Sequence, residues 1–456
     1  MRGRVYALIL AVEILGCYHS MAQDIKAPIS SMPWTLDRCV EYALEHNIDI
    51  KRKELEKETK EVGISERRWA YAPSLYFSTS GTGSSGRVLD QTTYEFIKNS
   101  AVGSTSSSIA GTMELFSGMK RVYALQRAKL DLLSETANME ALQDNIRKSV
   151  TAAFLAALCA ESDYESALMA KALLEAQFER IAVLVDAGKV TESDLSQIKA
   201  QLFAVEYDVA TAEGGVETSR MELCQLLEIK DYATFSIIED ENWQLNYMSS
   251  NRSDYSVRSR PEYRSAELSI ELARKDLSMA RSAFYPSISL SVGYGSSYST
   301  ARQKSIQNPG GTFRYEAYPF LEQYSDNRSS YVSLGLNIPI FNAMSTYNAV
   351  RRSKIAIRDA EYALQKIEKG LIKEYLQLEI DCRRAYKQYI TALEQLCFAE
   401  EAERQVRERY NQGTSDFNAW NTAATDLAKA RYSLSEAKYT YIFNEKLLTL
   451  FCSHPQ

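Results

Sequence analysis

The sequence predicts a mixed α and β fold in which long helical hairpins carry a few strands, and in which one structural unit occurs twice. Three observations lead there. Only nine Pro and 19 Gly interrupt 456 residues, so regular elements can run long. Two segments, "SISLSVGYGSS" from Ser287 and "YVSLGLNIPI" from Tyr331, alternate apolar residues with Ser, Gly and Asn at the period of two that marks a strand. Two strand-to-helix junctions, at Phe116 in "SIAGTMELFSGMKRVYALQRAKLDL" and at Phe341 in "YVSLGLNIPIFNAMSTYNAVRRSKIAI", lie 225 residues apart.

The elements follow in order. At the N-terminus Arg2 and Arg4 precede an apolar run from Val5 to Leu15, and Ser20-Met21-Ala22 forms a small-x-small site, so residues 1–22 are expected to be an export signal. Ile14-Leu15-Gly16-Cys17 also fits a lipoprotein cleavage box, which leaves acylation of Cys17 open. The apolar run is shorter than the roughly 20 residues that span a bilayer, and no later stretch is longer, so a mature chain in a membrane would be there as a barrel. A first helix is expected over Leu36–Tyr71. Strands follow around Leu75 and Phe77, then around Ile109, Met113 and Leu115. From Met119 to Ala187 no Pro or Gly occurs, and at 1.5 Å per residue such a helix extends about 100 Å. Apolar and Ala positions recur along it near three and four, as in coiled-coil packing. A return helix is expected from Val190 to about Lys230.

The 225-residue offset also carries Gly188 onto Gly413 and Leu223 onto Leu448, whereas Pro73 maps onto Pro286 at 213. About 12 extra residues therefore lie between the two strands of the second copy, where a surface loop absorbs them. The resulting division is a first repeat over 23–232, a linker over 233–260 and a second repeat over 261–452, whose long helix, Ala343–Gln412, is interrupted by Gly370 alone. The apolar strand faces and small polar reverse faces suit a lipid-facing wall with a wet interior. Four strands cannot close a membrane barrel, for which about eight is the practical minimum; the barrel must be shared between subunits.

Composition excludes other classes. The 53 basic and 59 acidic residues are interspersed and net −6, so there is no basic field for nucleic acid. The cysteines other than Cys17 lie in helix-like segments without metal-knuckle spacing. Of three histidines, His46 in "EYALEHNIDI" reads as a helix-end residue. "GTGSSG" at Gly81 ends a strand with no helix or Lys behind it, unlike a phosphate loop. No catalysis, cofactor or metal site is expected.

With this order of elements, "WTLDRCVEYALEHNIDI", "RPEYRSAELSIELARKDLSMARSAFYPSISLSVGY", "NIPIFNAM" and "YNQGTSDFNAWNTAATDLAKARYSLSEAKYTYIFN" resemble the TolC family of outer-membrane efflux and secretion ducts, over essentially the whole mature chain. The resemblance implies a homotrimer whose chains each give four strands to a 12-stranded barrel set in outer-membrane lipid. The barrel would continue into a 12-helix periplasmic tunnel that meets a periplasmic adaptor (a membrane fusion protein) and an inner-membrane pump. The function implied is passive conduction from pump to exterior; the alternative is a helical scaffold or adhesin.

It also implies site residues. The helical turns Gly188, Lys189, Val190 and Thr191, and Gly413, Thr414 and Ser415, would dock the adaptor. The family's acidic ring falls here on Ala419 and Thr422, so candidates for the constriction are Asp416 nearby and Asp194 in the first repeat. Phe116, Pro339 and Phe341 would mark the seam between barrel and tunnel. Arg87–Gly103 and Ser296–Ser330 would be external connections, the second folding over the barrel mouth. Trp69 and Trp420 are expected to pack between helices.

Overall fold

The computed structural model describes residues 33–89, 96–188, 191–232, 234–239 and 256–452. The expected signal with Cys17, the tip residues Lys189 and Val190, and most of the 233–260 linker lie outside the described residues.

The first helical stretch is divided into α1 (Leu36–His46) and α2 (Ile48–Trp69), where the sequence predicted one helix to Tyr71. Asn47 causes the break: its backbone turns extended (φ −60°, ψ 132°), its N–H closes α1 on the Ala43 carbonyl, and its side chain accepts from the Asp49 N–H to cap α2. Its Nδ2 donates to the Leu226 carbonyl at 3.2 Å, so the break is fixed by a helix 179 residues away.

Two strands follow, β1 (Ser74–Leu89) and β2 (Phe96–Ser117), then α3 (Lys120–Asp186) and α4 (Glu192–Leu226). After a 3₁₀ turn, Pro261 opens α5 (Pro261–Ser282) at a first-turn position where its missing N–H costs nothing. Next come β3 (Ser287–Ser299), a small hairpin β4 (Gln303–Gln307) and β5 (Phe313–Ala317), the short α6 (Phe320–Asp326) and β6 (Ser329–Asn337). The chain ends in α7 (Ser345–Asn411), through which Gly370 passes without a break, and α8 (Phe417–Cys452).

The main sheet is antiparallel in the order β1-β2-β3-β6. Its register brings Phe77 against Ile109, Ile109 against Tyr294, Met113 against Leu290, and Leu290 against Leu334. One face is thus apolar across all four strands. The reverse face carries Ser289, Ser291, Ser333 and Gly335. A bulge at Leu115 lets Phe116 pair with Ile288 on the apolar face. Towards the far end, β1 and β2 are joined by hydroxyl pairs, among them Ser78–Ser108 at 3.0 Å and Ser80–Ser106 at 2.8 Å.

Two expectations are corrected. Arg87–Gly103 is not a loop throughout, because Phe96–Gly103 belongs to β2 and pairs back on β1 as far as Leu89. The strand foreseen through Ile340 stops at Asn337: Pro339 has no N–H for a ladder, and Ile340 is 95% exposed.

The main core lies about halfway along the long helix α3, at its residues Ile146 to Leu158, where the return helix α4 ends. There Trp34, Cys39, Ile50, Phe154, Leu223 and Ile442 pack together, and Trp34 forms a parallel bridge with Ile237. Beside it Arg260 and Asp144, both fully buried, approach to 3.3 Å, with the guanidinium 4.6 Å from the Phe451 ring centroid.

Candidate functional site

Two kinds of place in this fold do more than extend it: the tips, where long helices reverse, and the seams, where strands become helices. At the first tip α3 closes with the Ala187 N–H on the Val183 carbonyl, and Gly188 turns left-handed at φ +67°. Thr191 then caps α4: its hydroxyl accepts from the Asp194 N–H, while the Asp194 carboxylate accepts from the Thr191 N–H and from its hydroxyl at 2.7 Å. At the second tip Gly413 has φ +73°, and Thr414 donates both its N–H and its hydroxyl to the Arg409 carbonyl. Ser415 follows in the turn, and Asp416 accepts from the Ala419 N–H at 2.9 Å to cap α8.

The two tips are held side by side. Arg180 donates to Asn411 Oδ1 at 2.9 Å and lies over the Tyr410 ring, and Gln197 donates to Asn418 Oδ1 at 3.2 Å. Trp420 stacks on Tyr410 with centroids 5.0 Å apart and donates Nε1–H to Glu403, so it packs as expected. Trp69 differs: it stands 73% exposed at the end of α2.

The seams share a geometry that the sequence half concealed. Gly118 and Met119 take φ +61° and +67° before α3; Ala343 and Met344 take +50° and +62° before α7. Each pair is again 225 residues apart. A consecutive left-handed pair is thus the device that swings a strand into a helix here, and Gly118 was the only residue that could have signalled it. A Cβ at Gly118 would lie 2.5 Å from the Ser282 carbonyl oxygen, which packs this turn against the end of α5. Arg121 reinforces the first seam by donating to the Glu114 carbonyl at 2.6 Å and pairing with its carboxylate. Phe116 pairs with Ile288 one position before the end of the β2–β3 ladder, whereas Phe341 stands 79% exposed. The structure therefore brings Phe116 into the sheet but leaves Pro339 and Phe341 on a projecting connection.

Among the described residues at these places there is no cysteine or histidine. Burial pushes the Cys39 thiol up to about 12 and those of Cys159 and Cys224 up to about 11, which keeps them as inert thiols. The cysteines from Cys39 to Cys452 are unbridged. His46 ends α1, stacked on Tyr42 at 3.9 Å with a ring nitrogen 3.1 Å from the Tyr42 carbonyl.

A family model described as "Outer membrane efflux protein" matches residues 39–227 and 256–450. The outer membrane protein TolC of Vibrio cholerae is 22% identical over 348 residues, which cover 74% of each chain. That of Escherichia coli is 20% identical over 413 residues, 88% of this chain and 78% of the relative. The CmeC outer membrane channel of Campylobacter jejuni superposes with a TM-score of 0.76 at 16% identity, over 92% of this chain and 85% of that one. The two stretches matched by the family model contain both seams and both tips, and with that match the chain belongs to the outer membrane efflux protein family, as an exit duct of the outer membrane whose helical part is periplasmic.

Proposed function

We propose that the duct is built from three copies of this chain, each giving β1, β2, β3 and β6 to one 12-stranded barrel and its helices to one periplasmic tunnel. The observation that carries this is the main sheet. It has one apolar and one small polar face, and β1 and β6 pair on one side only. A sheet with open edges and no aqueous shield is not viable in hydrocarbon, where each backbone polar group needs an internal partner. Pairing β6 of one copy with β1 of the next removes every edge, turns the apolar face to lipid and leaves Ser and Gly toward the lumen.

In this reading the chain is a duplication, with repeats over 23–232 and 261–452 joined through 233–260; the order helix, strand, strand, long helix, return helix on both sides of the linker supports it. The duct catalyses nothing and takes its energy from an inner-membrane pump through a periplasmic adaptor. The adaptor would dock on the tips at Gly188, Thr191, Gly413, Thr414 and Ser415, together with Lys189 and Val190. Asp194 and Asp416 would place carboxylates near the tunnel entrance while serving as caps. Phe116, Pro339 and Phe341 would stand at the barrel–tunnel boundary, and the segment from β4 to α6 would partly close the barrel mouth.

Electron microscopy of the detergent-extracted outer-membrane fraction tests the assembly. Hollow threefold particles with a helical part of about 100 Å, as 67-residue helices require, are expected. Monomers or compact globules would overturn it and favour a helical scaffold or adhesin.

A further inference from the structure

The seams carry a charge pattern that the fold itself does not require. From Leu115 to Leu130 and from Asn327 to Arg358 the sequence has no Asp or Glu. The first stretch nevertheless holds Lys120, Arg121, Arg127 and Lys129, and the second Arg351, Arg352, Lys354 and Arg358, besides Arg328 at the end of β6 away from the seam. Both stretches contain the start of a long helix, where the macrodipole favours anions and works against cations. Neither α3 nor α7 has an acid in its first turn. A local rule broken at corresponding places in both halves points to a demand from outside the helix.

Pairing within the chain satisfies only part of this charge. Arg121 meets Glu114 and Arg127 meets Asp276. Lys120, Arg351, Arg352, Lys354 and Arg358 are exposed and have no ion-pair partner among the described residues. Arg67 and Arg68 in the last turn of α2, and Arg281 in that of α5, add exposed cations at the same level, since both helices end just before a strand begins. Along α7, Tyr347, Arg351, Lys354 and Arg358 recur at three and four residues and so share one face. That face lies within about 20 Å of the seam at 1.5 Å per residue.

Between these cations and the sheet lies an apolar belt. Trp69, Phe284, Tyr285, Ile340, Phe341 and Met344 are all exposed, and along the chain each lies between one of these groups of cations and the end of a strand. Aromatic residues followed by Lys and Arg is the order in which a protein crosses from acyl chains through headgroups into water. On the barrel reading, on which this step rests, the belt falls at the periplasmic surface of the outer membrane.

We propose that the two seams form a cationic collar that holds the phosphate headgroups of anionic phospholipids in the periplasmic leaflet, with the aromatic belt seated at the acyl boundary above it. The occupant is a lipid rather than a protein partner because exposed apolar residues separate the cations from a sheet that, on the barrel reading, turns its apolar face to the membrane. Each Lys or Arg held near an anionic surface contributes roughly a fivefold gain in partitioning, so those five exposed cations of α3 and α7 in each copy make a strong preference.

Native mass spectrometry of the detergent-extracted full chain, with phosphatidylglycerol or phosphatidylcholine added at low and at high salt, tests this. Wild-type protein is expected to retain phosphatidylglycerol at least tenfold over phosphatidylcholine, with the preference shrinking in high salt. A variant carrying R351Q, R352Q and K354Q is expected to lose most of it, and one carrying R351K and R352K to keep it. Equal retention of the two lipids by wild type, or full retention by the Gln variant, would overturn the proposal. Gln-variant copies that separate while still holding phosphatidylglycerol would assign these cations to contacts between copies, which also overturns it. Loss of threefold symmetry in micrographs of wild type from the same preparation would instead strike the barrel reading, and this inference with it.

Discussion

Ala343 occupies a backbone conformation, φ +50°, that glycine takes freely and that costs an L-residue about 1–2 kcal/mol. Gly118, its counterpart, pays no such strain but has no room for a side chain. The two substitutions should therefore act in opposite directions. A343G should stabilise by about 0.5 kcal/mol, once the added freedom of the unfolded chain is deducted, and G118A should destabilise by about 2 kcal/mol or more through strain and the contact with Ser282. Denaturation midpoints of the extracted protein measure both, and equal effects would show that the second turn is not strained. Asp163 is a second residue at odds with its surroundings. Its Oδ1 is buried without a hydrogen-bond partner, and Cys159 reaches only its other oxygen. Burial, reinforced by Glu436 of α8, raises its carboxyl to about 6. Tyr432 is the other titratable group of α8 coupled to it, and on α3 the neighbouring Glu161 is taken up by Arg220 of α4. Because the folded state binds this proton more tightly than the unfolded chain, its contribution is favourable at about pH 4 and is lost as pH rises through about 6. D163N should flatten stability over that window and raise it at neutral pH; an unchanged pH profile would discount the site.

The tips show what an element can tolerate. Open space surrounds Gly188 and Gly413, yet both have positive φ. A bulky residue at either would cost about 1–2 kcal/mol of strain, small against a pair of 67-residue helices. If the adaptor docks there, such a substitution should impair export more than it lowers the amount of protein in the membrane; equal losses would remove the docking role. The elements also show what a sequence discloses. The long helices were legible from the absence of Pro and Gly and from apolar recurrence, and β3 from its alternation. The extent of β1 and β2 was not, because Ser78–Gly86 and Gly103–Ser108 are all Ser, Thr and Gly, whose pairing depends on backbone and hydroxyl bonds rather than on a period of apolar residues. The break at Asn47 was hidden for another reason: it is held by Leu226, and a local pattern contains no such contact. At the tips the glycines and caps were readable from residue type, while the bonds from Arg180 to Asn411 and from Gln197 to Asn418 needed the folded chain.

For the whole molecule, the assembly of long helices depends on a small equatorial core and on the buried Arg260–Asp144 pair, while most of the chain's surface is open to partners. The insert between β3 and β6 is fastened at one side: Gln323 exchanges two hydrogen bonds with the Ser299 backbone, Tyr324 accepts from Ser296, and Asn327 donates to Ser297. Removing residues 303–326 should leave the sheet register intact and increase single-channel conductance in planar bilayers; unchanged conductance would argue against occlusion of the mouth. On the barrel reading, where this insert faces the exterior, the same fastening gives it the character of an exchangeable cassette. Selection acting from outside the cell, on whatever recognises that surface, can rewrite the hairpin and its helix while the conduit beneath keeps its pairing.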